Sequence, residues 1–359
     1  MYTPLALIEA IASFALSAQA ITPNNLVSTS LSGALSAVKY TSVGGSGSYN
    51  QVTNMLPGEW PSCNANPSCI TAPKAVSGNL APFDEDITVN FRGPMNLFNM
   101  AVYQPANTTA ATWKRVSNWA ANQQPDNMVF MNNLGGGNSG EWTICGGNSQ
   151  SYANGDWTST VATPNEELFP GNLPASKEIN IMTGTTCASG SCEGFSRGTA
   201  NEGWAGSKMF VVDFEMPEDP SSLPAIWALN GQVVRAAQYG CNCRGMGGDG
   251  GCGEIDIAET LVANSPQAIS ELYSFKGATG TGDGNYFPRP DNGRDTLAVI
   301  FDIKTDAISI VRLTKFDYTQ TQLPRSLIDG YLTAPAKGIS FATNQRRSER
   351  RSFFHRRAH

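Results

Sequence analysis

The residues of this chain with the clearest capacity for chemistry are three acids, Glu254, Asp256 and Glu259, in the stretch Gly253-Glu254-Ile255-Asp256-Ile257-Ala258-Glu259-Thr260. Their interleaving with Ile255, Ile257 and Ala258 predicts a half-buried strand whose polar face carries carboxylates. In a regular strand Glu254 and Asp256 share a face and Glu259 points the other way. One inserted residue, a β-bulge, would return Glu259 to their side. Two carboxylates about 5 Å apart are the machinery of retaining glycoside hydrolysis, in which one attacks the sugar and the other donates and later removes a proton. On that reading Glu254 is the nucleophile and Glu259 the acid/base. Asp256 is a charged helper that keeps a proton on the acid and orients the nucleophile. The alternative is an acidic strand that simply faces solvent.

Those acids need walls. Upstream, Leu223-Pro224-Ala225-Ile226-Trp227-Ala228-Leu229-Asn230 predicts an apolar strand with one large aromatic, joined to the acidic strand by a Gly/Cys-rich loop. The pair resembles the catalytic region of the laminarinase-like glycoside hydrolase family 16 clan, whose acidic strand runs Glu-x-Asp-x-x-Glu behind a Trp-Pro-Ala-x-Trp-like segment. Leu223 stands where that segment has its first Trp. From Asn132 to Ser151, Glu178 to Gly194 and Gly203 to Pro217 the chain resembles the fungal cell-wall family of circularly permuted 1,3-β-glucanases. The likeness covers most of residues 40 to 340. It implies an all-β, concanavalin A-like jelly-roll sandwich, circularly permuted, with Glu254, Asp256 and Glu259 at the centre of a glycan cleft. It further implies endo-hydrolysis of 1,3-β-glucan with retention, β-glucan as the partner, no cofactor, and a secreted, cell-wall location. A glucan transglycosylase would use the same two Glu residues, and a wall protein that binds β-glucan without cleaving it is the third reading.

Candidate sugar contacts follow from aromatic and amide side chains near these elements. They are Trp227, Trp204 between glycines in Gly203-Trp204-Ala205-Gly206, and Trp142, Asn148 and Tyr152 in the polar stretch from Asn132 to Tyr152. A glycine-supported structural loop is the competing account of that stretch. Thr112 to Trp119 predicts a strand with Trp113 and Trp119 on one face, as core or as ligand contact. In Lys208 to Pro217, Met209, Val211 and Asp213 should share one face and Phe210, Val212 and Phe214 the other. Asp213 and Glu215 are therefore read as structural or solvent-facing.

Short alternating segments punctuated by Asn, Gly and Pro begin near Asp86 and continue through Ile87 to Phe91, Met128 to Met131, Ile179 to Met182, Ile269 to Phe275, Thr296 to Asp302 and Ala307 to Thr314, an all-β signature. Residues 80–344 are assigned to the β-sandwich, 1–20 to a signal peptide ending Ser17-Ala18-Gln19-Ala20, and 21–75 to a Ser/Gly/Asn-rich region with a small cysteine module. No apolar run is long enough for a membrane span. Eight cysteines argue for disulfides, Cys63 to Cys69 and Cys187 to Cys192 being the shortest-range pairs. Cys241, Cys243 and Cys252 without a nearby His argue against a metal. Asp283 beside glycines is insufficient for calcium. Asn107-Thr108-Thr109 is a glycosylation sequon expected on a surface turn. The basic tail, 345–359, contributes +5, leaving 18 basic against 29 acidic residues, a net of −11, in the rest. An acidic body argues against nucleic acid and suits a neutral polysaccharide.

Overall fold

Alternation of side chains builds the layers. In β11 (Lys208–Glu215), Phe210, Val212 and Phe214 enter one apolar cluster while Met209 and Val211 enter another, as a period of two requires. The computed structural model describes residues 20–56, 68–132, 134, 151–187, 192, 201–236, 251–282 and 284–342. Their first sheet runs, edge to edge, β19 (Gln322–Pro324), β6 (Thr112–Ala120), β5 (Met95–Pro105), β11, β17 (Asp295–Asp302), β18 (Ala307–Leu313), β1 (Ala37–Thr41) and β20 (Lys337–Ser340), with β9 (Asn172–Leu173) on β5. The second runs β15 (Gly277–Gly280), β14 (Gln267–Ser274), β13 (Glu254–Glu259), β12 (Ala225–Asn230), β4 (Ile87–Arg92), β10 (Glu178–Met182), β7 (Val129–Asn132) and β8 (Ser151–Tyr152), with β16 (Phe287–Pro288) on β14. A separate ribbon pairs β2 (Gly47–Leu56) with β3 (Ser68–Val76). Pairing is antiparallel except between β1 and β20. The fold is the all-β jelly-roll sandwich expected from the sequence.

Phe91, Phe130, Phe210, Ile257 and Phe301 fill the space between the sheets, and a helix, α2 (Arg325–Leu332), lays Ile328, Tyr331 and Leu332 on the outer face of the first sheet. Among the described residues no helix is long and apolar enough to cross a membrane.

Three local expectations are corrected. Trp113 and Trp119 face opposite ways, Trp119 into the core between the sheets and Trp113 under α2. The register of β5 on β6 shifts between Val102 and Tyr103, and that bulge inverts the parity of β6. Residues 37–41, assigned from sequence to the Ser/Gly/Asn-rich region outside the sandwich, are an inner strand whose Val38 and Tyr40 are fully buried. Gly277–Gly280, which lies outside the alternating segments expected from the sequence, is an edge strand on β14. The signal-peptide stretch up to residue 19 and the basic tail lie outside the described residues.

Lys208 opens β11 with its side chain wholly buried beneath the Phe301 ring, 5.5 Å from the ring centre. Its ammonium donates to the carbonyls of Phe83 (2.9 Å) and Glu85 (3.1 Å), which fixes the turn leading into β4. Burial pushes its pKa down to about 7, against the opposing pull of Asp84, Asp86 and Glu85. Since the folded value lies below the unfolded one, the cost of the charge is present in full below about pH 7 and fades as pH rises toward about 10. Lys208→Met removes this titration. Its melting temperature relative to the parent should be most favourable near neutral pH and fall steadily toward alkaline pH, and a difference that stays flat across that range contradicts the assignment.

Candidate active site

Ile255, Ile257 and Ala258 all enter the core between the sheets. Two consecutive inward residues, Ile257 and Ala258, mark a bulge, and the register of β13 shifts there against both β12 and β14. Glu254, Asp256 and Glu259 therefore share the outer face of the second sheet, as the sequence spacing predicts. Gly253 turns the chain into the strand at φ +110°, a conformation that favours glycine. A bulge disturbs the ladder, and here the Asp256 carbonyl accepts a bond from Ser270 Oγ at 2.7 Å. Tyr40 Oη in turn donates to Ser270 Oγ at 2.9 Å. Burial holds the Tyr40 phenol far above its ordinary pKa, so it remains a donor.

Cross-strand partners share a face, so three levels run across this sheet. Glu254 lies level with Tyr273 of β14, Leu229 of β12 and, through Leu229, Thr88 of β4. Asp256 lies level with Glu271 on one side and with Trp227, Asn90, Asn180, Met131 and Tyr152 in succession on the other. Glu259 lies level with Ile269, Ala225, Arg92 and Glu178.

A wall stands along the Glu254 level. The short helix α1 (Gly231–Ala236) leaves β12 at this end, Gly231 N donating to the Asp86 carbonyl, and adds Val233 to the cluster that holds Leu229 and Trp227 and Val234 to the one that holds Met182, Met131 and Tyr152. The β2–β3 ribbon adds Tyr49 and Val76 to the Leu229 and Trp227 cluster. Glu85 docks the ribbon: its carboxylate accepts from Tyr49 Oη (2.6 Å) and Asn230 Nδ2 (2.6 Å) and pairs with Lys74 (2.6 Å).

Arg92 supplies positive charge at the Glu259 level. Its guanidinium lies 2.8 Å from Glu259 and 3.6 Å from Glu178, donates from Nε to the Leu223 carbonyl at 2.5 Å, and stands 5.8 Å from the Trp227 ring centre. The small Ala225 between β4 and β13 leaves the space for that reach. On the opposite side of β13, Tyr273 Oη donates to Glu271 Oε2 at 2.5 Å. Burial, followed by the charges of Asp256 and Glu271, raises the Tyr273 pKa and keeps its phenol a donor. Glu254 and Asp256 are only 1% and 5% exposed, so this face holds carboxylates in a desolvated setting. On β12 the outer levels, Ala225 and Leu229, are four residues apart, about 13 Å along the strand, so Glu254 and Glu259 must lean toward Asp256 to reach a spacing of about 5 Å.

Of the sugar contacts expected from sequence, Trp227 and Tyr152 lie on the acidic face at the Asp256 level. Trp204 lies in the core between the sheets, donates from Nε1 to Ser117 Oγ at 3.0 Å and meets Phe210 edge to face, so it is not on that face. Trp142, Asn148 and the calcium candidate Asp283 lie outside the described residues. Asp213 lies on the first sheet and accepts from Asn99. Asn107 is on an exposed turn between β5 and β6. Arg92, Glu271, Tyr273 and Asn90 were missed. Parity puts Glu271 and Tyr273 on one face of their strand, but only the pairing register shows that it is the acidic face. Cys187 and Cys192 form the expected disulfide, with α-carbons 5.5 Å apart, and Cys252 is also disulfide-bonded. Cys63, Cys145, Cys241 and Cys243 lie outside the described residues. Among the described residues no group of three or more His, Cys, Asp or Glu is placed to hold a metal ion.

Fold and site together define a jelly-roll protein with an acid-lined sheet face. Within that class, the chain belongs to the fungal Tos1 cell-wall family: residues 36–105 match the family described as cell wall protein YJL171C/Tos1, N-terminal, and residues 111–330 match its C-terminal counterpart. It is similar to the probable circularly permuted 1,3-beta-glucanase TOS1 of Candida albicans, with 34% identity over 251 residues, covering 64% of this chain and 52% of that protein. A probable circularly permuted 1,3-beta-glucanase YJL171C from Schizosaccharomyces pombe is 34% identical over 252 residues, covering 64% of this chain and 48% of the relative. The chain thus spans about half the length of these two relatives. Probable circularly permuted 1,3-beta-glucanase PGA52 of Candida albicans is 30% identical over 322 residues, covering 82% of this chain and 81% of the relative. No solved structure matches the chain.

Ser270→Ala should leave the Asp256 carbonyl at the bulge without its side-chain donor and cost about 1–3 kcal/mol in denaturant unfolding. Adding Tyr40→Phe to it should cost little more, because the phenol acts through Ser270. Full additivity of the two changes refutes a shared role at the bulge.

Proposed function

We propose that the protein is a retaining, endo-acting glycoside hydrolase of 1,3-β-glucan in the fungal cell wall. The observation that carries this reading is the bulge in β13, which brings Glu254, Asp256 and Glu259 onto one face. In the first step the Glu254 carboxylate attacks the anomeric carbon, the glycosidic C–O bond breaks, and the proton on Glu259 passes to the departing oxygen. In the second, Glu259 takes a proton from water, and the resulting hydroxyl group displaces Glu254. Arg92 is placed for both stages: it pairs with Glu259 when that group is ionised and retains Glu178 at 3.6 Å when it is not. Asp256, between the two, orients the nucleophile. The names of the relatives support the choice of 1,3-β-glucan.

The deep burial of Glu254 and Asp256 favours a second outcome at the same site, interception of the covalent intermediate by a glucan hydroxyl in place of water. Bonds made and broken are the same, with the acceptor hydroxyl giving its proton to Glu259. Pure binding without cleavage is the third reading, and a bare aromatic and amide surface would serve it without three acids on one face, two of them desolvated.

Reducing-end release from laminarin and the lengths of products from a defined laminari-oligosaccharide separate the three. Glu254→Gln and Glu259→Gln should each lower release or transfer by at least about 100-fold while leaving the fold intact. Parent-like turnover in either variant removes that residue from the chemistry, and binding with no turnover in the parent leaves the scaffold reading. Proton NMR of early products should show the β-anomer first, and the α-anomer first would exclude retention.

A further inference from the structure

Asn90 lies at the Asp256 level on β4, one strand beyond Trp227. Its side chain is wholly buried, at 0% exposure. Nδ2 reaches Thr88 Oγ1 at 3.5 Å, and among the described residues Oδ1 has no hydrogen-bond partner. A buried carbonyl oxygen in this condition is costly, and the strand does not require it. A β-branched or aliphatic residue would fill the position without the penalty. Folding gains nothing from this oxygen, whereas a hydroxyl-rich ligand would.

The walls of the face fix how such a ligand lies. Because α1 starts at the Glu254 end of β12, against the Asp86 carbonyl, and Glu85 docks the β2–β3 ribbon at that same end, a chain passing the acids runs across the strands, over the Asp256 and Glu259 levels. Trp227 is the first residue it meets beyond β13, and Asn90 the next. Neighbouring strands are ~4.8 Å apart, close to the advance of one sugar ring in an extended glucan. We propose that Asn90 Oδ1 accepts a hydrogen bond from a glucan hydroxyl one subsite beyond Trp227, and so makes Asn90 a substrate-binding residue on the long arm of an unequal cleft. From β13 the sheet extends over β12, β4, β10, β7 and β8 on the Asn90 side, but only over β14 and β15 on the other. At that spacing the arms measure roughly 24 Å and roughly 10 Å. This assignment rests on reading the acidic face as a glucan site.

The experiment uses the full chain carrying Glu254→Gln, to prevent turnover, with and without Asn90→Leu. Binding of 1,3-linked oligosaccharides, from the disaccharide to the octasaccharide, is measured by calorimetry beside thermal unfolding without ligand. Asn90→Leu should weaken binding of the hexasaccharide about 3- to 10-fold while leaving the melting temperature unchanged or higher, because no bond to Oδ1 is lost in the free protein. Asn90→Thr, a strand-compatible change whose hydroxyl stops short of the amide position, should show the same loss and serves if the Leu variant does not fold. A lowered melting temperature with unchanged affinity in the variant that folds makes Asn90 structural and overturns the proposal, as does absence of binding at every length. Asn90-dependent binding without release or transfer by the parent keeps this site and overturns the catalytic reading. Turnover by the parent with Asn90-independent binding does the reverse.

Discussion

The acidic face depends on one extra residue in β13. Without the bulge at Ile257 and Ala258, a strand that buries Ile255 and Ile257 would send Glu259 into the core, where an isolated carboxylate is prohibitively expensive. The bulge reconciles an apolar inner surface with three outward acids, and it is secured from the inside. Ser270 satisfies the Asp256 carbonyl, and Tyr40 holds Ser270. Tyr40 comes from β1, in the opposite sheet, so the packing of the sandwich itself bears on the geometry of the acids.

Charge is distributed on that face with equal economy. Asp256 and Glu271 are direct cross-strand partners, an arrangement that like charges disfavour. Donors and cations are placed around them: Tyr273 on Glu271, and Arg92 on Glu259 and Glu178. A second set of contacts steadies the start of the acidic strand. Lys208 fixes the Phe83 and Glu85 carbonyls, the Glu85 side chain holds Asn230, and Asn230 Nδ2 donates to the Cys252 carbonyl at 3.0 Å, two residues before Glu254. A lysine wholly inside the protein is a costly anchor. Its position explains the expense, since the turn it fixes supports both the ribbon and the strand end.

Much of this was legible in the sequence because alternation of side chains is a local property. The faces of β11, the parity of β13 and the need for its bulge follow from residue order alone. What escaped was set by pairing between distant strands. The parity of β6 fails at a bulge opposite Val102 and Tyr103, which nothing in Thr112 to Trp119 announces. Trp204 has the flanking glycines of an exposed contact, yet Gly203 is instead close-packed against the backbone of Ile87 and the ring enters the core. Arg92 stands between the Ile87 to Phe91 segment and Gly93-Pro94, and only the register of β4 between β12 and β10 puts it beside Glu259.

That register also bears on how the chain is divided. The two family matches meet between residues 105 and 111, which suggests an N-terminal and a C-terminal unit, and a boundary near residues 75–80 suggests another pair. Neither division follows the sheets. β4, from the N-terminal match, is inserted between β12 and β10 of the C-terminal match, and β5 lies between β6 and β11. The acids come from one segment, while Asn90 and Arg92 come from the other. A chain cut between residues 105 and 111 would expose the ladder edges of β12, β10, β6 and β11 and separate Glu259 from its guanidinium, and a cut near residues 75–80 would take β1 from between β18 and β20. The sandwich from β1 to β20 is therefore one folding unit, and the acidic face exists only when both matched segments are present in it.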